Sequence, residues 1–301
     1  MIQGIAEFDE FFNVTEYIYR CEQVYDQQLC FTCEAIIASG AKIITLCGPT
    51  CSGKTTTANK LFAYLTEMGK TVHVISFDDF YFDRDVIAQK CEERGVALEY
   101  ESAFTLDLSL LSCVLKDISL GKDVLVPIYN FSSGKRNGYV EHHLTGEDIF
   151  IFEGIQALYD EVSVLYNHVH HFNVYISVED GISFGDFSFD KETVRFLRRI
   201  VRDFKHRAAS VDFTCSIWKT VRENEEKNIF PNIEKADIKI NSTLGYEINV
   251  LKYDAESILK TVSVSSPYYY IIKQMSEMLS RISLIAEESV PSDSVLREFI
   301  D

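Results

Sequence analysis

The chain has 301 residues, enough for one large α/β domain with extensions and a core that needs no disulfide or metal to hold it. Its 46 acids against 29 lysines and arginines leave a formal charge of −17, which argues against a nucleic-acid or anionic-membrane partner. The eight cysteines fall singly, no secretory leader opens the sequence and no apolar run approaches the ~18 residues of a membrane span, a pattern that points to a reducing, cytoplasmic setting.

Residues 14 to 39 carry apolar positions at helical spacing and meet a stop at Gly40, so a leading helix is expected there. Cys30 and Cys33 form a C-x-x-C inside that helix, with no second Cys or His pair at zinc spacing, and core packing explains them better than metal or redox work. Lys42 to Cys47 reads as a buried strand, Thr55 to Leu65 as a helix and Thr71 to Ser76 as a second strand, which together make a βαβ unit. A helix near Asp107 to Leu120 follows, then strands at Val124 to Ile128, Ile149 to Phe152 and Phe172 to Val178, with Tyr139 to His143 as a polar edge strand. His168, His170 and His171 flank the last of these and read as a loop-to-strand junction rather than a metal set.

Beyond Lys191 the pattern is helical to about Asn228; Ile238 to Ile240 and Glu247 to Leu251 read as short strands, and Ala255 to Val262 and Tyr268 to Glu287 as helices. No repeat or linker divides the chain. The expectation is an α/β, three-layer fold with a mostly parallel sheet covered on both faces, built on residues 41–262, with an N-terminal helical extension (1–40) and a C-terminal helical extension (263–301).

Gly48-Pro49-Thr50-Cys51-Ser52-Gly53-Lys54-Thr55 satisfies G-x-x-x-x-G-K-[ST] between an apolar strand and a helix, where a phosphate-binding loop must sit. Its glycines let successive N–H groups point inward, and the helix that follows adds the positive end of its dipole. Gly48 through Thr56 is therefore the expected ATP-binding segment, with Lys54 on the β- and γ-phosphates and the Thr55 hydroxyl on Mg²⁺. Such a loop identifies the donor and leaves the reaction open.

Two strand ends supply acids at the carboxyl edge of the sheet, where ligands bind in open α/β folds. Asp78-Asp79 follows the second strand, and a carboxylate there would take the proton of an attacking hydroxyl, touch the metal, or both; a solvated turn or a helix cap is the competing reading. Glu153-Gly154 follows Ile149 to Phe152, the position of a metal-holding carboxylate, with a glycine that permits close approach. Arg195, Arg198, Arg199 and Arg202 share one helix face in the only dense basic stretch, opposite Phe196, Leu197, Ile200 and Val201. Four arginines on one face call for a polyanion, so this helix is expected to act as a lid or anion clamp, in a region spanning about 181–210.

The ordered set of the phosphate loop, S-F-D-D-F-Y (76–81), P-x-Y-x-F (127–131), F-E-G-I-x-A-L (152–158) and R-x-x-R-R-x-x-R-D (195–203) resembles the uridine kinase and phosphoribulokinase family, and within it the uridine kinases, from about residue 40 to 255. Trp218 to Lys252 and the closing Ser294 to Ile300 look like the branch often fused to an N-terminal ubiquitin-like regulatory domain, which this sequence is expected to lack. The resemblance implies Asp78 as catalytic base, with Lys54, Arg198 and Arg202 stabilising the transferring phosphate and Arg199 on ATP. It implies Glu153, Thr55 and Asp78 around Mg²⁺, and Tyr81, Glu101, Tyr129, Phe131, Arg136 and Arg195 around a nucleoside whose ribose meets Glu101. A homo-oligomer is plausible on the same ground. Gly134 stands where pyrimidine-specific members carry a histidine, so the base stays open, and the loop Gly181 to Asp190 is longer than usual. A sugar phosphate or pantothenate-like alcohol is the competing acceptor, and an ATP-sensing regulatory protein the competing class.

Overall fold

Five parallel strands, in the order β10 (Ile238–Asn241), β7 (His171–Ser177), β2 (Ile43–Cys47), β6 (Ile149–Glu153) and β3 (Val72–Ser76), form the central sheet of the computed structural model, which describes residues 1–5, 12–96 and 100–301. Neighbouring residues of one strand serve two cores. Ile44, Leu46, Ile151, Val174 and Ile176 pack with α1 (Val14–Ser39), α2 (Lys54–Glu67) and α8 (Glu247–Leu259), whereas Ile43, Cys47, Phe150, Phe152 and Tyr175 pack with α3 (Arg84–Arg94) and α4 (Leu108–Ser119). Burial on both faces is why these strands are apolar throughout, and it makes the fold three-layered.

Helix α1 is capped as its sequence demands: the Asn13 side chain accepts from Glu16 N–H, and Gly40 ends it with φ 69°. It is woven into the domain. The Tyr25 hydroxyl lies 2.6 Å from Thr57 Oγ1 on α2, and the Gln28 amide both donates to and accepts from the Asn241 backbone on β10.

Four sequence expectations are corrected. Val124 to Ile128 does not join the central sheet; β4 (Val124–Asn130) pairs antiparallel with β5 (Lys135–His142) in a separate hairpin, closed by the Asn130–Gly134 turn. Tyr139 to His143 therefore borders β4 and not the sheet edge. Glu247 to Leu251 is helical, the start of α8, with all five residues buried; the alternation of Glu247 and Asn249 with Ile248 and Val250 is what reads as a strand. The helical run after Lys191 is interrupted: α6 (Lys191–Arg207) ends at Ala208 with φ 51°, and α7 (Val211–Asn224) runs into a π-turn at Glu225–Ile229. The long loop before α6 is the hairpin β8 (Ile182–Phe184) and β9 (Phe187–Phe189), joined by β1 (Ile2–Gln3). A short α5 (Asp160–Ser163), α9 (Tyr269–Ser280) and α10 (Arg297–Ile300) complete the molecule. Among the described residues no helix is long and apolar enough to cross a membrane.

Candidate active site

Strand β2 delivers the chain into the phosphate loop, whose shape is dictated by close neighbours. A Cβ on Gly48 would lie 2.1 Å from the Ile176 carbonyl oxygen, so only glycine lets the loop pass strand β7. Gly53 turns the chain with φ 88° into α2, and it offers no side-chain cap to the first N–H groups of that helix. Those donors, with the dipole behind them, are left for an anion. Lys54 arches back over the loop, its Nζ donating to the Pro49 carbonyl at 3.0 Å. Thr55 is exposed at the mouth, while Ser52 is buried, its Oγ without a partner among the described residues.

The register of the sheet sets the two acids side by side. Ser76 on β3 lies opposite Glu153 on β6, and Asp78 follows two residues on. A Cβ on Gly154 would sit 2.9 Å from Phe77 Cβ, so the glycine lets the two acid-bearing strand ends touch. Burial, then the nearby Asp78 charge, pushes the Glu153 carboxyl up to about 7. Asp78 is also raised, chiefly by burial, with Lys54 acting against it. Two partly desolvated acids beside one lysine form a donor set that suits a divalent cation, with the exposed Thr55 hydroxyl at the same mouth. Asp79 differs: its Oδ1 accepts from Tyr129 N–H at 3.0 Å and ties the β4–β5 hairpin to the strand end.

The arginine helix corrects the expectation of a clamp with one apolar face and one basic one, because α6 is buried all round from Val194 to Asp203. Arg198 is fully buried, forks onto Glu247 (2.5 and 2.9 Å) and donates to the Cys51 and Ser242 carbonyls, so its donors support the loop from beneath and are not free for a transferring phosphate. Arg195 forks onto Glu225 and donates to the Thr50 carbonyl, so its guanidinium is occupied and not available to a ribose. Arg199, Arg202 and Arg207 converge on the carboxylate of Asp203, and Arg199 Nη1 is buried with no partner among the described residues. Glu101 is within electrostatic reach of Arg199 and Glu298 of Arg202, and the open Arg199 Nη1 is the donor left for an anion.

Beyond the strand ends, Tyr81, Tyr129 and Phe131 form an edge-to-face cluster with centroids 5.2–6.5 Å apart, Tyr129 nearly buried and Phe131 exposed. Glu101 accepts from the Asn224 amide at 2.9 Å; burial raises it to about 6, and Arg199 and Lys54 are close enough to pull it down. Arg136, expected at the substrate, also braces the hairpin: it donates to the Phe80 and Tyr81 carbonyls and pairs with Asp107 at 3.1 Å. Gly134 has φ 67°, and a Cβ there would meet the Arg84 side chain at 2.8 Å, so a histidine does not fit this turn as built. Sequence reasoning missed Gln156, fully buried, whose amide donates to the Tyr81 hydroxyl at 3.1 Å; the unassigned place in F-E-G-I-x-A-L was the available signal. It also missed Glu225, Glu247 and Asp203 as the arginines' partners.

Residues 43–248 match the model of the phosphoribulokinase / uridine kinase family. A uridine kinase of Staphylococcus aureus (strain JH9) is 30% identical over 199 residues, 66% of this chain and 86% of that protein. A uridine kinase of Ureaplasma urealyticum is 27% identical over the same length, 66% and 86%. The solved YGR205w protein shares the fold at 15% identity and TM-score 0.52, over 69% of this chain and 89% of its own. With the phosphate loop and strand-end acids in place on this sheet and two thirds of the chain matched, the chain belongs to the phosphoribulokinase / uridine kinase family and is an ATP-dependent kinase.

Proposed function

We propose that the enzyme transfers the γ-phosphate of ATP to the 5′-hydroxyl of a nucleoside, giving a nucleoside monophosphate and ADP. The observation that carries the reading is the placement of Asp78: it lies two residues beyond the end of β3, beside Glu153 and Lys54, and the Tyr81–Tyr129–Phe131 cluster begins three residues later. A flat base would lie against those rings, and Glu101, a hydrogen-bond acceptor on the same side, would take the ribose hydroxyls. The uridine kinases among its relatives support that acceptor class.

Asp78 would accept the proton of the 5′-hydroxyl as that oxygen attacks in line, and its raised basicity suits the task. Lys54, the free N–H groups of α2 and the Arg199/Arg202 charge would stabilise the charge spreading over the transferring group. Thr55 and Glu153 are the residues that would hold Mg²⁺, which when bound neutralises the phosphate oxygens. Purified protein given ATP, Mg²⁺ and a panel of ribonucleosides is expected to release ADP with at least one of them. Turnover with a phosphorylated sugar or pantothenate-like alcohol alone would replace the nucleoside, and no acceptor-dependent turnover at all would overturn the reading.

A further inference from the structure

The end of the chain lies against the phosphate loop. Val295, Leu296, Phe299 and Ile300 are buried in the same core as α2 and α6. Three contacts reach the donor site. Val295 Cγ2 stands 2.2 Å from where a Cβ on Gly53 would be, so it fills the space beside the loop's last glycine. The Phe299 ring lies 5.0 Å from the guanidinium carbon of Arg198, the residue that carries the Cys51 carbonyl. Glu298 Oε2 accepts from the Thr56 hydroxyl at 3.3 Å on the first turn of α2, and its charge is felt by both Arg202 and Glu153 at the donor site.

We propose that segment 294–300 is a working wall of the ATP site, in which Val295 and Phe299 are positioning residues for the loop and Glu298 lowers ATP affinity by holding the Thr56 hydroxyl and placing a negative charge beside the phosphates. A plug that merely sealed the core would need only the apolar side chains. A carboxylate at the positive end of a helix occupies the position an anion would take. Thr56 has one proton to give, so donating it to Glu298 and to a phosphate oxygen are exclusive. Arg297 fixes the segment's approach through the Pro291, Glu287 and Val290 carbonyls, and Lys205 holds the Ile300 carbonyl, so the backbone that carries Glu298 is anchored on both sides of it. The claim concerns ATP binding and is independent of the acceptor.

The test is calorimetric titration of the full chain with Mg·ATP and no acceptor. Glu298→Gln keeps the shape and an oxygen for Thr56 but removes the charge; it is expected to tighten ATP binding about 3- to 10-fold, with Tm unchanged. Phe299→Ala is expected to weaken ATP binding about fivefold or more, and Phe299→Leu to restore most of it, all measured at a temperature where circular dichroism shows each variant fully folded. An ATP affinity in Glu298→Gln equal to or weaker than wild type overturns the role of Glu298. A folded Phe299→Ala, or Val295→Ala should the first fail to fold, that binds ATP like wild type overturns the wall.

Discussion

The donor and acceptor halves of the site are built by opposite means. The phosphate loop is held by buried ion pairs reaching across the chain, Arg198 to Glu247 and Arg195 to Glu225, and by backbone contacts so close that Gly48 admits no Cβ. The acceptor half rests on a two-stranded hairpin tied to the strand end by Asp79 and Arg136, and its outermost ring, Phe131, is exposed. A donor that never changes can be met by a rigid cradle, whereas in the proposed site the acceptor would be selected by side chains on a segment outside the central sheet, which can vary without disturbing the loop.

That contrast can be broken at several points. Asp78→Asn is expected to lower kcat by about 10²- to 10⁴-fold while leaving the ATP dissociation constant within about threefold, separating chemistry from donor binding in steady-state and calorimetric measurements. Glu247→Ala leaves Arg198 buried and unpaired and should cost about 3–5 kcal/mol of stability in denaturant unfolding, with the loop disordered in whatever fold remains. Glu153→Gln should do two opposite things. The folded carboxyl is raised from 4.5 to about 7, so the folded state holds its proton more tightly than the unfolded state and the ionised group costs stability at pH 8. In EDTA at pH 8 the variant is therefore expected to be more stable by on the order of 1–3 kcal/mol, the gain vanishing below about pH 4.5, while kinase activity falls.

Smaller effects sharpen the acceptor half. Tyr129→Ala should raise the acceptor KM about tenfold and leave the ATP KM unchanged; an equal change in both would mean the hairpin supports the loop after all. Cys30→Ala, at an exposed position, should shift unfolding by less than about 0.5 kcal/mol and leave activity intact.

The donor half was legible because its information is local: a glycine-rich turn between an apolar strand and a helix has few other uses, and Glu153-Gly154 and Asp78 lie directly at strand ends. The arginines' identities were equally plain, but their duties were not. Partners 30 to 49 residues away, Glu225 and Glu247, are set by tertiary packing, and the i, i+3, i+4 spacing that marks a surface stripe is the same when both faces are buried. Glu247 itself was hidden in a run that reads as strand. The docking of Val295 and Phe299 against the loop left no local signal, since their spacing suits any short amphipathic helix.

The trio of guanidiniums on Asp203 has a consequence for how the enzyme behaves in a crowded ionic medium. Asp203 is shared by all three guanidiniums, with Glu101 and Glu298 farther off, so a cluster of cationic donors persists inside a molecule whose formal charge is −17. Small dianions such as sulfate or inorganic phosphate should settle there, compete with the nucleotide and raise the melting temperature. Chloride at the same ionic strength should do little, because a monovalent ion without several acceptor oxygens satisfies few of these donors.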